Sequence, residues 1–249
     1  GNKKLSKRDG AKDILAYREE GYPPDAMLNF LASLGWNDGT EQEVFTRDEL
    51  IEKFSLKRVQ KSGARFDEKR LLWLNGAHIR NIPVDKLYEY VSPWDDNPQK
   101  VWGQTGFWPE SAYAPNITKE YRMKVLALAQ DRLKMFEDLR GFGYFFAEPE
   151  INLELIDGNK QLKKLSDSER RELLETARHE LAKLADWTPE SIQNCLNKLL
   201  EITGQKPGIL FSLIRIAVTW APFSPQLNDT LALIGQEKTL QRLDTYLNY

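Results

Sequence analysis

The chain has 249 residues with 41% hydrophobic and 11% aromatic content, enough to bury substantial cores in about two or three helical units. Charge is dense but balanced, 35 basic against 37 acidic residues, which excludes a uniformly basic nucleic-acid binder and leaves only local patches. One cysteine, Cys195, excludes an internal disulfide and a cysteine-cluster metal site, and fits a reducing cytoplasm. These residues contain no apolar run of about 18 that could span a membrane and no basic-then-apolar leader.

In chain order, Lys4-Leu5-Ser6-Lys7-Arg8 comes first. Two ammonium groups with a hydroxyl between them can converge on a polyphosphate when the backbone turns; taken alone, the pentapeptide reads more simply as a solvated basic tail. Met27, Phe30, Leu31 and Leu34 recur at three- and four-residue spacing, Pro24 suits a first turn and Gly35 a helix end, which predicts an amphipathic helix. Thr46-Arg47-Asp48-Glu49 reads as a capping box opening a helix that buries Leu50, Ile51 and Phe54. Asp67 is expected to start another, burying Leu71, Leu72 and Leu74.

From Lys53 to Arg80 there are eight basic residues, Lys53, Lys57, Arg58, Lys61, Arg65, Lys69, Arg70 and Arg80, against Asp67 and Glu68. This is either a solvated helix face or a footprint for nucleic-acid phosphates, and composition leaves both open. Between Ser92 and Asn116 four prolines interrupt Trp94, Trp102, Phe107, Trp108 and Tyr113, giving an ordered linker whose aromatics either pin it to its own bundle or stack on bases. A long helix is expected from Thr118 to Leu139, then a short hairpin between Ile151 and Leu165 turning at Asp157-Gly158.

Helical signals then resume. A capping box stands at Ser166–Glu169, and Thr188-Pro189 opens a helix with the stripe Ile192, Cys195, Leu196, Leu199 and Leu200, ended by Gly204. An apolar helix runs after Lys206-Pro207-Gly208 through Arg215, another follows Ser224-Pro225 and stops at Gly235, and a last one carries Leu240, Leu243 and Leu247. The pattern is all-α, stacked helical units with boundaries near residues 83 and 146. Trp36, Trp73, Trp187 and Trp220 fall in or beside apolar helix patterns and are expected in cores. His78 and His179 have no second ligand at metal spacing and take no catalytic role; Cys195 is expected to be buried.

The segments Gly21-Tyr22-Pro23-Pro24-Asp25-Ala26 through Leu34-Gly35-Trp36, Arg65-Phe66-Asp67-Glu68-Lys69-Arg70-Leu71-Leu72-Trp73-Leu74-Asn75, Gly208-Ile209-Leu210-Phe211 through Thr219, and Leu231–Gly235 through Arg242-Leu243 closely resemble bacterial glutamyl-tRNA synthetase downstream of its KMSKS loop. Two departures stand out: Leu213-Ile214 replaces the proline usual before the arginine segment, and Trp220 replaces the glycine usual after Thr219. The family's nucleotide-binding fold, with its HIGH-type motif, belongs before Lys4, so the expectation is the C-terminal part of a larger enzyme with no catalytic residue and no metal site of its own.

The resemblance implies three parts: residues 1–83 as KMSKS loop and stem-contact helices, 84–145 as a first helical anticodon-binding subdomain and 146–249 as a second. It implies an ATP-binding role for Lys4, Leu5, Ser6, Lys7 and Arg8, with Lys7 foremost, using ATP with Mg in the intact enzyme and no cofactor bound to this part alone. It places tRNA backbone contacts at Lys57, Arg58, Lys61 and Arg65 and anticodon contacts at Arg132, Arg140, Arg215 and Arg242. For Arg215 the competing reading is a structural ion pair at a helix end. The implied partner is glutamate tRNA, bound by a monomer, with no membrane and no DNA. The alternatives are a stand-alone synthetase-derived RNA-binding or scaffold protein, and a glutaminyl-tRNA synthetase, whose anticodon-reading β-barrels disagree with the helical periodicity.

Overall fold

The computed structural model describes residues 12–60, 66–92 and 106–249, and among them there is no β-strand. The chain separates into two compact units, one made of Gly1–Trp108 with Gln130–Arg140, the other of Pro109–Ala129 with Gly141–Tyr249. The expected KMSKS-type residues Lys4–Arg8, the basic residues Lys61 and Arg65, and Trp94 and Trp102 lie outside the described residues.

The first unit carries α1 (Ile14–Glu20), α2 (Pro24–Ser33), α3 (Arg47–Lys53), α4 (Glu68–Asn81) and α5 (Val84–Val91). Local chemistry sets their ends. Asp13 accepts from the Leu15 amide to open α1, the Thr46–Glu49 capping box forms in full at α3, and the Asp67 carboxylate accepts from the Lys69 and Arg70 amides at α4. Gly21 ends α1 at φ 91°, and a Cβ there would stand 2.4 Å from Phe136 Cβ, so both conformation and space require glycine. The core packs Tyr17, Tyr22, Met27 and Phe30 against Leu71 and Leu74. Phe107 and Trp108 are 2% and 3% exposed, and the Trp108 indole N–H donates to the Ser92 hydroxyl, so these two linker aromatics pin the chain to its own unit.

A buried polar network sits inside that core. Asn29, fully buried, donates through Nδ2 to the Glu43 carbonyl (3.2 Å), while its Oδ1 accepts from the Phe45 amide (2.8 Å) and faces His78 Nε2 at 2.9 Å. With Asn29 Oδ1 fixed as an acceptor, His78 must carry its proton on Nε2.

The second unit contains α6 (Lys119–Ala129), α7 (Glu154–Asp157), α8 (Asp167–Ala182), α9 (Pro189–Thr203), α10 (Pro207–Thr219), α11 (Leu227–Ile234) and α12 (Gln236–Asn248). Helix α8 packs on α9, α10 and α12, and α11 lies against α6, α9 and α12. The Ser166–Glu169 capping box forms, Thr188 caps α9 ahead of Pro189, and Gly204 closes α9 in the left-handed region. Cys195 is 7% exposed among Ile192, Leu196 and Leu199, and burial raises its thiol pKa. Trp220 ends α10 at φ 46°, a left-handed conformation that costs a non-glycine residue about 1–2 kcal/mol, and its ring stacks on Tyr246 at 5.8 Å and 18°.

Two expected elements differ. The helix from Thr118 does not reach Leu139: α6 stops at Ala129, a 3-10 turn spans Gln130–Arg132, and a second 3-10 stretch begins at Phe136. The Asp138 carboxylate accepts from the Lys134 and Met135 amides at 2.7 and 3.0 Å, taking up donors that a continuous helix would use. The hairpin at Ile151–Leu165 is replaced by α7 and a 3-10 turn at Leu162–Lys164, because Asn152 and Asn159 accept from amides two and three residues ahead and fold the chain locally. Ile156 and Leu162, not an alternating set, are the residues buried there.

Burial lowers the pKa of His78 from its usual 6.5, so the unfolded chain binds a proton that the folded unit resists. Its contribution to stability is therefore full above about pH 6.5 and is lost as pH falls below it. Thermal melts of wild type from about pH 7 to pH 5 are expected to show a falling midpoint, with a shallower slope in His78→Gln. Asn29→Ala should lower stability at every pH, by about 1–3 kcal/mol for each donor it orphans.

Candidate nucleic-acid interface

In the first unit, Lys57 and Arg58 stand on a 3-10 turn, Leu56–Arg58, and both are exposed. The Arg58 guanidinium donates to the Asp38 carbonyl oxygen, which fixes the stem of the side chain's reach. Lys53 is engaged within the unit: its ammonium donates to Gln42 Oε1 at 2.7 Å, lies 3.5 Å from Asp38 and sits over the Phe45 ring at 5.3 Å. Hydrogen bonds from Thr40, and then from Lys53, hold the Asp38 carboxyl below its usual pKa.

Helix α4 presents a second basic surface. Leu71, Leu74, Asn75, His78 and Ile79 point inward, which leaves Lys69, Arg70, Trp73 and Arg80 exposed along the outer side. Trp73, expected in the core, is instead 50% exposed; it is two residues from Leu71, so helical geometry turns it about 200° away from that side chain. Together with Glu43, Arg70 and Trp73 line an open depression of about 420 Å³, and Arg70 reaches Glu43 at 3.4 Å. The position of Trp73, two residues from Leu71 and so turned away from it, was present in the sequence and marks it as a surface residue.

The four arginines expected at an anticodon fall into different environments. Arg132 is exposed. Arg140 is 53% exposed and pairs with Glu137 one turn away at 3.3 Å, a surface ion pair worth little and easily exchanged for another partner. Both belong to the first unit. Arg215 is half-buried on α10, and its Nε donates to Ser224 Oγ at 2.8 Å, a neutral brace among its interactions.

Arg242 is different, and its expected role is corrected. It is 3% exposed on α12. Its Nε donates to Glu148 Oε2 at 3.0 Å, Nη1 to the Val218 carbonyl at 3.1 Å, and Nη2 to the Tyr144 and Ala147 carbonyls at 3.0 and 3.1 Å and to Glu148 Oε1 at 3.3 Å. A planar five-donor fork suits this site, and the guanidinium closes the end of α10 against the turn after Tyr144 instead of facing a base.

Among the described residues no three histidine, cysteine or carboxylate side chains gather to hold a metal, and no helix is long and apolar enough to cross a membrane. Residues 86–247 match the family model described as anticodon binding domain, and the chain belongs to that family. Residues 1–73 match the model described as tRNA synthetases class I (E and Q), catalytic domain.

Among individual proteins, the chain is 34% identical over 247 residues to glutamate–tRNA ligase 1 of Alkalilimnicola ehrlichii, covering 99% of this chain and 48% of that one. It is 36% identical over 249 residues to glutamate–tRNA ligase of Streptomyces avermitilis, covering 99% and 46%. The crystal structure of a glutamate tRNA ligase from Elizabethkingia meningosepticum, in complex with its amino acid, superposes with a TM-score of 0.74 at 25% identity, covering 100% of this chain and 49% of that one. The chain thus spans about half the length of the curated relatives it matches.

Replacing Arg242 with lysine keeps the charge but leaves several buried carbonyls without donors. Arg242→Lys is expected to cost about 3 kcal/mol in denaturant unfolding, whereas Arg132→Lys should stay within about 0.5 kcal/mol of wild type.

Proposed function

We propose that this chain is the tRNA-binding part of a glutamate–tRNA ligase, an enzyme that activates glutamate with ATP and joins it to glutamate tRNA. The observation that carries this reading is the similarity to such ligases over 99% of the chain, joined to a surface of the right chemistry on α4. In this reading residues 1–83 hold the ATP-contacting loop and lie along the tRNA stem, and the helical parts 84–145 and 146–249 meet the anticodon. Lys4 and Lys7 would neutralise the phosphates of ATP with Mg as pyrophosphate leaves, Lys7 foremost, in a cytoplasmic enzyme acting as a monomer.

Phosphate contacts are assigned to Lys57, Arg58, Lys61 and Arg65, extended by Lys69, Arg70 and Arg80 on the outer side of α4. Lysine and arginine on such a surface bind by neutralising backbone charge, which supplies affinity without sequence. Trp73 adds an exposed ring on which a base or ribose can rest. Arg132, Arg140 and Arg215 remain the anticodon candidates. Arg215 is the best oriented of them, because Ser224 holds its guanidinium and an arginine locked in place loses less freedom on meeting a base.

The test is filter binding of this chain to glutamate tRNA and to the same tRNA with its anticodon exchanged. The exchanged tRNA should bind more weakly, and affinity for both should fall steeply with salt. Trp73→Ala should weaken binding by about 1–3 kcal/mol with little change in folding stability, and Arg70→Ala should lower the salt slope by about one. Equal retention of the two tRNAs would remove the anticodon-reading role; insensitivity of both to Trp73→Ala and Arg70→Ala would remove α4 from the interface.

A further inference from the structure

We propose that four lysines of the second unit, Lys160, Lys163, Lys164 and Lys206, form a patch that grips the phosphate backbone of the bound RNA away from the anticodon bases, a proposal that rests on the tRNA-binding reading above. The segment Gly158–Ser166 holds three of them and no acidic residue, and none occurs from Ile202 to Asn228 around the fourth. All four are exposed.

Their freedom sets them apart from the other cations of residues 146–249. Four of the five arginines there pair with Asp157, Asp167, Asp244 and Glu148, and the fifth, Arg215, donates to Ser224. Lys183 and Lys198 both pair with Glu180. Five lysines remain without an ion pair or side-chain hydrogen bond among the described residues; four of them make up the patch, and the fifth is Lys238.

The fold brings the two basic segments together. Asn159 Oδ1 accepts from the Gln161 and Leu162 amides, Leu162 is fully buried, and Arg170 Nε donates to the Leu162 carbonyl at 3.3 Å. The turn carrying Lys160, Lys163 and Lys164 is thereby fastened to the start of α8. On its other side it meets the first turn of α10, where Gln161 Oε1 lies 3.0 Å from the place a Cβ on Gly208 would take, two residues from Lys206.

Charge and placement choose the occupant. Ammonium groups on flexible stems, with no carboxylate among them, suit a partner whose negative charges repeat along a chain, and as point charges they neutralise phosphate without reading a base. Arg215, the anticodon candidate on α10, is nine residues from Lys206, about 14 Å along the helix axis. One end of α10 thus serves bases and the other serves backbone.

The experiment measures filter binding of the 249-residue chain to glutamate tRNA and to its anticodon-exchanged form from about 50 to about 200 mM salt. Lys163→Ala/Lys206→Ala, one lysine from each segment, should lower the salt slope by about one to two and weaken both tRNAs by the same factor, about fivefold or more at the low end. Lys163→Arg/Lys206→Arg keeps the charges and should bind as wild type does. Lys238→Ala is the control: it stands at the start of α12, where Gln236 reaches the Leu181 and Leu184 carbonyls at the far end of α8, and binding should not change. Circular dichroism checks that each variant folds. A wild-type slope in the double-alanine variant, an equal loss in Lys238→Ala, or weakening of only one of the two tRNAs would overturn the proposal and leave the tRNA-binding reading standing. A wild-type chain that retains neither tRNA would overturn both.

Discussion

Gln130 ends one helix and completes another. Its Nε2 donates to the Ile79 and Ile82 carbonyls at 2.8 and 2.7 Å, where α4 runs out. Asn75 reaches the other way, from the inner side of α4 to the Lys134 carbonyl at 2.6 Å, and the Phe136 amide donates to Gly21. These bonds join residues 48 to 115 positions apart in sequence and bring Gln130–Arg140 back into the first unit. Without them the Ile82 carbonyl just past α4 and the Lys134 carbonyl would lose their side-chain donors.

The consequence for function is that α4 is held on its inner side by both apolar packing and directed hydrogen bonds. Asn75, His78 and Leu74 face inward, and Gly76 allows the backbone near Leu133 to approach, since a Cβ there would meet the Leu133 carbonyl at 3.3 Å. A helix fixed this way presents Lys69, Arg70 and Trp73 on a rigid support, with Arg80 beyond the covered Gly76. In the proposed tRNA-binding reading, side chains on a packed helix lose less freedom on binding phosphate than side chains on a loop would.

Burial, more than residue type, separates the arginines. Arg132 and Arg140 stand in water with their donors free to exchange partners, Arg215 is braced by a serine, and Arg242 is enclosed by carbonyl oxygens contributed by two turns. The same guanidinium geometry stands exposed in one place and is built into the fold in another. Trp220 shows a related substitution of packing for backbone ease: the left-handed conformation that a glycine would adopt freely is held here by a ring stacked on Tyr246.

The sequence by itself determined the all-helical class, the caps at Thr46, Asp67, Ser166 and Thr188, the break at Gly204, the burial of Cys195 and the likeness to a tRNA synthetase, because each depends on residues within a turn or two of one another. It also contained the outward phase of Trp73, which a stricter reading of helical spacing makes visible. Tertiary structure alone decided that the helix from Thr118 breaks, that Asn152 and Asn159 fold their segment into turns, and that Arg242 faces inward. Those outcomes turn on which distant carbonyl or carboxylate lies within 3 Å or so of a donor, and a linear pattern of residue types holds no record of that distance.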